Sequence, residues 1–251
     1  MKARKGLLFG FAMGIFALAA FVMAQSASAA KESKNEFVFG CALPLTGMFG
    51  QDGQMVRNAY QYWQNTVNAR GGIEGKYKVK IIFYDDQSNP QTSAQLVDKL
   101  ITRDKVDLLL GGYGSSGVMA ASAVAERHKY PLISGAASSN VLFNRGFKYY
   151  FSTLGKATEE VRGCVDVLTV VTPKPKTVAI IGANIPFTAQ ACDGYKTYAA
   201  KDGFQVVHFE IFPIGLQDYD TLLEKVRASH PDVVLVGSHL GVALNVIKAI
   251  K

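Results

Sequence analysis

From residue 37 onward, short apolar runs alternate with segments whose apolar residues recur every three or four positions. A short apolar run bounded by turn residues predicts a buried strand, and the wider spacing predicts an amphipathic helix. The pattern predicts strands over residues 37–45, 78–86, 106–112, 130–136, 177–183, 204–212 and 232–238. It predicts helices over residues 52–69, 89–104, 117–128, 159–171, 187–203 and 218–230, with a last helix running out at Lys251.

Residues at the helix ends support two of these boundaries. Asn89 precedes Pro90, which is the order expected of an N-cap followed by the first turn of a helix. Gly71 and Gly72 follow the first predicted helix, where glycine commonly ends a helix. Trp63 lies at helical spacing inside that helix, so it is expected in the core rather than against a cofactor.

Near-continuous apolar strands separated by amphipathic helices are typical of a parallel sheet covered on both faces. The alternation restarts near residue 155, which predicts an α/β chain of two lobes, residues 30–154 and 155–251. Ligands of such sheets bind beyond the carboxyl ends of the strands. Six segments follow predicted strands and contain no Lys or Arg: residues 46–53, 85–90, 112–117, 134–140, 183–189 and 238–242.

The N-terminus has the pattern of a secretory signal. Lys2, Arg4 and Lys5 precede the uncharged residues 6–24, and the small-residue site Ala27-Ser28-Ala29 follows. We expect a signal peptide over residues 1–29 that is cleaved after Ala29 or Ala30, with an uncleaved membrane anchor as the alternative. Cleavage removes three positive charges and lowers the formal net charge from +7 to +4. The remaining Lys and Arg are scattered, so no nucleic-acid partner is expected.

Cysteine and histidine usage predicts no metal site or other cofactor. Export would place Cys41, Cys164 and Cys192 in an oxidising compartment, where an odd number leaves at least one thiol unpaired. Cys41 lies in the first apolar run and is expected to be buried. A bridge between Cys164 and Cys192 stays open at this point. There is no C-x-x-C motif, and the four His are well spread.

Residues 112–117, "GYGSSG", have the G-x-G-x-x-G form of a dinucleotide-binding turn. That motif belongs after the first strand of its unit, with an acidic residue about twenty positions later, whereas this one follows the third strand and lacks the acid. No Lys follows the last glycine, which excludes a phosphate loop of the Walker type. A nucleotide is therefore not expected here.

Helix N-termini bind anions even without a nucleotide motif, because their first amides are unpaired and the helix dipole is positive there. Ser115 and Ser116 add hydroxyls at this turn, and the neighbouring strand end adds Ser138 and Ser139. Together they could hold a carboxylate. The alternative is that these serines are N-caps and the glycines only form tight turns.

The order of several motifs resembles the branched-chain amino-acid-binding (LivJ-type) family of periplasmic solute receptors. The motifs are "ALPLTGMFGQDGQ", "NARGGIEGKYKVKIIFYDDQSNP", "GGYGSSGVMAASAVAE", "PLISGAASS" and "YYFSTLG". The resemblance covers essentially all of the chain after the signal. It implies two Rossmann-like lobes, joined by a three-stranded hinge, that close around a ligand.

By position, the resemblance also implies a ligand site in the first lobe. Ser115 and Ser138 would hold the ligand's carboxylate through their hydroxyls, and Ala136 would do so through its backbone. Asp52 stands where the amino-acid receptors have a tyrosine, so it either touches the ligand or caps the following helix. The family's disulfide would fall on Ser88 and Gly114, so it is absent.

In the second lobe, the resemblance places Phe187 and His239 at aromatic ligand-facing positions. His239 could equally be an ordinary polar loop residue. The family's acidic partner of the ligand's ammonium group would fall after Lys251.

The function implied is an extracytoplasmic receptor that delivers a small carboxylate-bearing solute to the permease of an ABC importer. The solute would be a branched-chain or related amino acid, or an aromatic acid. A sensory module that signals with the same trap is the alternative. No enzyme is expected. No Ser lies in a G-x-S-x-G motif. Asp85 and Asp86 are adjacent on a strand and point to opposite faces, so they cannot converge as an acid–base pair and are expected to form a strand-end turn.

A chain that stops at Lys251 would lack later strands of both lobes and two of the hinge strands that the resemblance implies. Missing strands leave sheet edges and apolar faces uncovered. We therefore expect the isolated 251-residue product to be poorly soluble or partly unfolded. A sharp, cooperative thermal transition measured by circular dichroism would contradict this expectation.

Overall fold

The computed structural model describes residues 35–250, so the predicted signal peptide lies outside the described residues. The strands are β1 (Glu36–Leu43), β2 (Lys78–Asp85), β3 (Leu108–Leu110), β4 (Leu132–Ser134), β5 (Tyr150–Ser152), β6 (Thr177–Ala183), β7 (Gln205–Phe212) and β8 (Val233–Gly237). The helices are α1 (Gly50–Ala69), α2 (Pro90–Thr102), α3 (Ser115–Arg127), α4 (Asn140–Asn144), α5 (Ala157–Glu160), α6 (Arg162–Val170), α7 (Pro186–Lys201), α8 (Asp220–Ala228) and α9 (Leu240–Ile250).

These strands form two parallel sheets, as predicted. The first sheet has the order β2-β1-β3-β4-β5, and the second has the order β7-β6-β8. Chain order reverses between β1 and β3 in the first sheet and between β6 and β8 in the second. Loops that leave neighbouring strands at such a reversal turn to opposite faces of the sheet, which opens a crevice between them. Where the chain divides into lobes, at residue 154, stays a prediction.

Helices cover both faces of the first sheet. On one face, Phe39, Cys41 and Leu43 of β1 pack against α1, and Trp63 meets the Phe39 ring edge-on with centroids 5.2 Å apart. On the other face, Ala42 packs with residues of α2 and α3, including Leu100, which is fully buried. This burial on both faces explains why β1 reads as an almost continuous apolar run.

The second sheet is built around β6, whose residues from Val178 to Ala183 are all buried. Val178 and Ile180 pack on one face with α6 and α7, and Ala179 and Ile181 pack on the other with α8 and α9. Alternate residues of a strand point to opposite faces, so one apolar strand supplies two cores.

The predicted helix ends are confirmed where capping residues are present. The Asn89 side chain accepts hydrogen bonds from the amides of Gln91 (2.9 Å) and Thr92 (3.0 Å), and Pro90 opens α2. At the end of α1, Gly71 and Gly72 adopt φ values of 101° and 99°. Glycine reaches this left-handed region without steric cost, which is why the helix ends there.

Three local features differ from the prediction. The helix predicted over residues 159–171 is divided into α5 and α6 around Val161. The Val161 carbonyl accepts a hydrogen bond from the Cys164 amide three residues later, which is a tighter spacing than the four residues of an α-helix. Helix α4 was not predicted, because five residues show no period. Strand β5 was not predicted either. It is three residues long and pairs only with β4, so its Phe151 is 52% exposed and the apolar signal is weak.

The cysteines are all free, so the bridge between Cys164 and Cys192 does not form. Cys192 is buried against β6, where its thiol hydrogen-bonds to the Ile181 carbonyl at 3.5 Å, whereas Cys164 is exposed. Burial raises the pKa of the Cys192 thiol to about 12, which keeps it protonated and unreactive. Cys41 is buried as predicted. Within residues 35–250, no helix combines the length and the apolarity needed to cross a membrane.

Two helical glycines predict opposite effects on stability. A Cβ at the buried Gly53 would overlap the carbonyl oxygen of Pro44, which fixes α1 close to the end of β1. Gly53→Ala should therefore lower the free energy of unfolding by about 1–3 kcal/mol. At the exposed Gly163 of α6 an added Cβ meets nothing within 4 Å, so Gly163→Ala should raise the same quantity by about 0.5–1 kcal/mol. Urea denaturation measures both. A rise in Gly53→Ala would contradict the packing at Gly53, and a fall in Gly163→Ala would contradict the open surroundings of Gly163.

Candidate functional site

The carboxyl ends of five strands surround one cavity of about 150 Å³, which we call the central cavity. Residues that follow β3, β4 and β5 line it from the first sheet, and residues that follow β6 and β8 line it from the second. This is the edge at which the sequence predicted a site. Residues lining the central cavity include Ser115, Ala136, Ser138, Phe187, His239, Tyr113, Leu154 and Glu160.

One side of the central cavity presents hydrogen-bond donors. Helix α3 starts at Ser115 after Gly114, which has φ 84° and provides no side-chain cap. Its first internal bond runs from the Val118 amide to the Gly114 carbonyl at 3.2 Å, so the amides before Val118 have no partner within the helix. The positive end of the helix dipole lies at the same place. A negatively charged group would be stabilised here.

Ser115 is positioned to add a donor to this side. It is only 3% exposed, and its Oγ accepts a hydrogen bond from the Ser139 amide at 3.0 Å. A hydroxyl that accepts one bond still has its own proton to donate. The Gly114 amide donates to the Ala136 carbonyl at 3.0 Å, which holds the loops after β3 and β4 together. Ser115 is the first residue of α3, whose N-cap is Gly114, so it is not an N-cap. Ser139 is the N-cap residue of α4 but makes no side-chain cap bond.

Ser138 and Glu160, which also line the central cavity, present acceptors. Ser138, also 3% exposed, donates its hydroxyl proton to Oε2 of Glu160 at 2.7 Å. Its carbonyl accepts the Ala157 amide at 2.7 Å, so the loop after β4 is tied to α5 at two points. The predicted site residues do not include Glu160, because it lies inside a predicted helix and not in a segment that follows a predicted strand.

Four aromatic rings close the cavity between the two sheets, and we call them the aromatic cluster: Phe49, Tyr113, Phe187 and His239. The His239 ring lies at their centre, with centroid distances of 4.7 Å to Phe49, 5.3 Å to Tyr113 and 5.4 Å to Phe187. Its Nδ1 is 2.7 Å from the hydroxyl oxygen of Tyr113, across 126 residues of sequence. The cluster therefore joins strand ends of both sheets.

Burial controls the charge of this cluster. His239 is 8% exposed, and its burial lowers the pKa of the imidazole to about 4, so it is neutral at physiological pH. Burial and the neighbouring Asp52 raise the pKa of the Tyr113 hydroxyl, which hydrogen-bonds to that carboxylate. The hydrogen bond between the Tyr113 hydroxyl and Nδ1 of the neutral His239 is donated by whichever of the two carries the proton, which the tautomer of the imidazole decides.

The structure brings five of the six predicted site residues to the central cavity. The exception is Asp52, which lies in the first turn of α1 and lines a separate cavity of about 340 Å³ beside α9. Asp52 reaches the site only through Tyr113. Tyr113 could have been found from the sequence, because it stands inside the glycine loop that pointed to Ser115.

The remaining acidic candidates are accounted for locally. Asp85 accepts the amides of Leu45 (2.9 Å), Thr46 (3.1 Å) and Gln87 (2.9 Å), which makes it the predicted strand-end turn. Asp86 accepts the Ser88 amide at 3.0 Å, and burial raises the pKa of its carboxyl to about 6. Among residues 35–250, no three His, Cys, Asp or Glu side chains lie close enough to hold a metal ion together.

Comparison with known proteins identifies the family. A family model described as periplasmic binding protein matches residues 36–251, and the chain belongs to that family. An amino acid binding protein of Pseudomonas aeruginosa is 29% identical over 234 residues, which are 90% of this chain and 59% of that protein. The resemblance inferred from the motifs is thus confirmed.

Solved structures show the same fold. A solute binding protein of an ABC transporter from Rhodopseudomonas palustris BisB5, in complex with 3,4-dihydroxy benzoic acid, matches with a TM-score of 0.75 at 23% identity, over 86% of this chain and 58% of that one. Another from R. palustris, in complex with 4-hydroxybenzoate, matches with a TM-score of 0.70 at 21% identity, over 80% and 53%. The chain therefore spans between about half and three fifths of the proteins it matches.

The buried, neutral His239 predicts a pH effect on stability. In the unfolded chain the imidazole binds a proton below about pH 6.5, whereas in the folded chain it does so only below about pH 4. Between these values the unfolded state binds more protons, so this residue's contribution to the free energy of unfolding falls as pH falls, by at most about 3 kcal/mol. His239→Asn keeps a polar atom near the Nδ1 position but cannot titrate, so it should lose less stability than wild type on acidification.

Asp86 changes the free energy of unfolding in the opposite direction over nearly the same pH range. Its pKa is raised in the folded state, so there the folded state binds the extra proton. Asp86 is present in both proteins, so the difference in stability loss between wild type and His239→Asn isolates the contribution of His239. Denaturant unfolding at pH 7 and pH 4.5 measures it, with His230→Asn, at an exposed histidine, as the control. Equal losses in wild type and His239→Asn would contradict a neutral, buried imidazole.

Proposed function

We propose that the central cavity binds a small carboxylate-bearing solute and that the protein delivers it to the permease of an ABC importer. Ser115, the Ala136 backbone and the first turn of α3 would hold the carboxylate. Phe187 and His239 would contact the rest of the solute from the second sheet. The relatives support both an amino acid and an aromatic acid as the solute, since proteins of each kind are similar to this chain.

The observation that carries the proposal is the Ser115 hydroxyl. It is buried at the wall of the central cavity, it accepts a bond from the Ser139 amide, and its proton is free to be donated to a ligand. Beside it are the first amides of α3, which have no partner within the helix. Hydrogen bonds to a charged group are roughly twice as strong as neutral ones, so this set of donors favours a carboxylate over a neutral solute.

The dimensions of the cavity support a small solute. Pockets for drug-sized ligands have volumes of about 300–1,000 Å³, whereas the central cavity has about 150 Å³. Three rings of the aromatic cluster, those of Tyr113, Phe187 and His239, form part of its wall. A compact molecule with one carboxylate and an apolar body fits this combination.

Closure of two lobes around the solute would provide the mechanism. Donors come from loops of the first sheet, and Phe187 and His239 come from loops of the second. A solute that contacts both sets binds the closed state better than the open state, so it shifts the population towards closure. The permease would then recognise the closed form.

Location and partners follow from the family and from the N-terminal pattern. Membership of the periplasmic binding protein family supports action outside the cytoplasm. The residue order at positions 1–29 supports export through a cleavable signal peptide, and so a location in the periplasm. We propose a binding protein rather than an enzyme, because the family to which the chain belongs is one of binding proteins and because the cavity offers groups that hold a carboxylate.

Ser115→Ala tests the carboxylate site. Loss of one donor to a charged group corresponds to about 1.5–3 kcal/mol, so affinity for a carboxylate solute should fall at least several-fold. Isothermal titration calorimetry with L-leucine, L-phenylalanine and 4-hydroxybenzoate measures it, after circular dichroism has shown native secondary structure.

Ser116→Ala is the matched control, because Ser116 lies in the same turn but lines a neighbouring cavity of about 20 Å³ instead. It should change affinity much less. Unchanged affinity in Ser115→Ala would remove this residue from the site, and a wild-type protein that binds none of the three acids would refute the proposed function.

A further inference from the structure

Asp86 is a buried carboxylate beside the start of α3. It is 3% exposed, and it lines the neighbouring cavity of about 20 Å³ together with Ser115, Ser116 and Gly117. A Cβ added at Gly117 would lie 3.8 Å from Oδ2 of Asp86, so this oxygen lies against the first turn of the helix. Ser115 lines both this cavity and the central cavity. Asp86 and the proposed carboxylate site therefore share one helix end.

The surroundings of Asp86 offset its charge only in part. Its Oδ1 accepts the Ser88 amide at 3.0 Å, and the Ser93 hydroxyl donates a second hydrogen bond to the carboxylate. No Lys or Arg lines the cavity of about 20 Å³, and within residues 35–250 Asp86 forms no ion pair. Burial raises the pKa of the carboxyl to about 6. The positive end of the α3 dipole is the remaining nearby source of stabilisation for its negative charge.

A solute carboxylate at Ser115 would place a second negative charge at this helix end. Like charges that share a site repel each other, and the repulsion raises the pKa of a carboxyl that is able to take up a proton. Solute binding would therefore raise the pKa of Asp86 above its value in the solute-free protein. By linkage, the protein with a protonated Asp86 binds the solute more tightly than the protein with an ionised Asp86.

The other ionisable groups around Asp86 keep their charge near neutral pH. Hydrogen bonds outweigh burial and lower the pKa of the adjacent Asp85 carboxyl, which stays ionised. Burial raises the pKa of the Cys41 thiol and of the Tyr113 hydroxyl, so both stay neutral. Burial lowers the pKa of the His239 imidazole, which lines the same cavity, to about 4. Among these neighbours, Asp86 alone changes charge between pH 5.5 and pH 7.5.

We propose that Asp86 couples solute binding to the uptake of a proton, because its ionised form and the solute's carboxylate compete for the start of α3. The inference rests on the proposed function, since it assumes that the carboxylate lies at Ser115. Affinity would be highest below the pKa that Asp86 has in the solute-free protein. It would fall as pH rises through the higher pKa of the solute-bound protein. Asp86 is thus a residue that sets affinity without touching the solute.

Calorimetry on the wild-type protein tests this coupling with whichever of L-leucine, L-phenylalanine and 4-hydroxybenzoate binds most tightly. A solute carboxyl with an ordinary pKa near 4 stays ionised from pH 5.5 to pH 7.5. Over this range the affinity should fall about threefold or more. At pH 6.5, titrations in two buffers of different ionisation enthalpy should show uptake of about 0.3–0.5 proton per solute bound. If affinity is independent of pH and no proton is taken up, the proposed function survives and the role of Asp86 is overturned.

Asp86→Asn keeps the size of the side chain and an acceptor for the Ser88 amide, but it carries no charge. At pH 7.5 this variant should bind the acid about threefold or more tightly than wild type, with no proton uptake and no dependence on pH. The control is Asp193→Asn, at an exposed carboxylate of α7 outside both cavities, which should keep the wild-type proton uptake. Loss of proton uptake in Asp52→Asn but not in Asp86→Asn would assign the proton to the wrong carboxyl and overturn the proposal.

Circular dichroism of each variant establishes that it is folded, and the wild-type measurement of proton uptake stands without any variant. Wild-type pH dependence in folded Asp86→Asn would overturn the coupling. If none of the three acids binds wild type, the proposed function fails and the coupling fails with it.

Discussion

The site depends on the parallel pairing of the strands. Each of the eight described strands runs parallel to its neighbours, so within each sheet every strand ends at the same edge. Loops that are far apart in sequence therefore lie close together at this edge. In the first sheet the chain order reverses beside the loop that contains Ser115, and in the second it reverses between the loops that contain Phe187 and His239. The central cavity lies where these two reversals face each other.

Much of this arrangement could be predicted from the sequence, because the spacing of apolar residues and the capping residues at helix ends are local features of the chain. Ser115, Ala136 and Ser138 follow apolar runs, so their common edge follows once the sheet is parallel. Glu160 was not predictable in the same way. Its side chain reaches the cavity beside Ser138, 22 residues away in sequence, and no local pattern predicts that contact. The resemblance to a family helped with Phe187 and His239, whose position beside the loops of the first sheet has no signature in sequence spacing.

The hydroxyls of Ser115 and Ser138 are left with different hydrogen-bonding groups because their partners differ. The amide of Ser139 is a donor, so it occupies an acceptor position of Ser115 and leaves the proton of that hydroxyl available. Glu160 is an acceptor, so it takes the proton of Ser138 and leaves only lone pairs. The residue type fixes what a side chain is able to do, and the neighbouring group determines which of those abilities remains for a ligand.

The contacts that join the two sheets are individually weak, and this would suit the proposed receptor, which must release what it binds. A neutral hydrogen bond such as that between Tyr113 and His239 contributes about 0.5–1.5 kcal/mol net, and an aromatic pair adds a similar amount beyond its buried area. A charged imidazole at this buried position would be a desolvated charge, which is costly unless it is paired. Burial keeps His239 neutral, so in the proposed mechanism closure would rest on contacts that reopen readily, and the bound solute would supply the rest of the free energy.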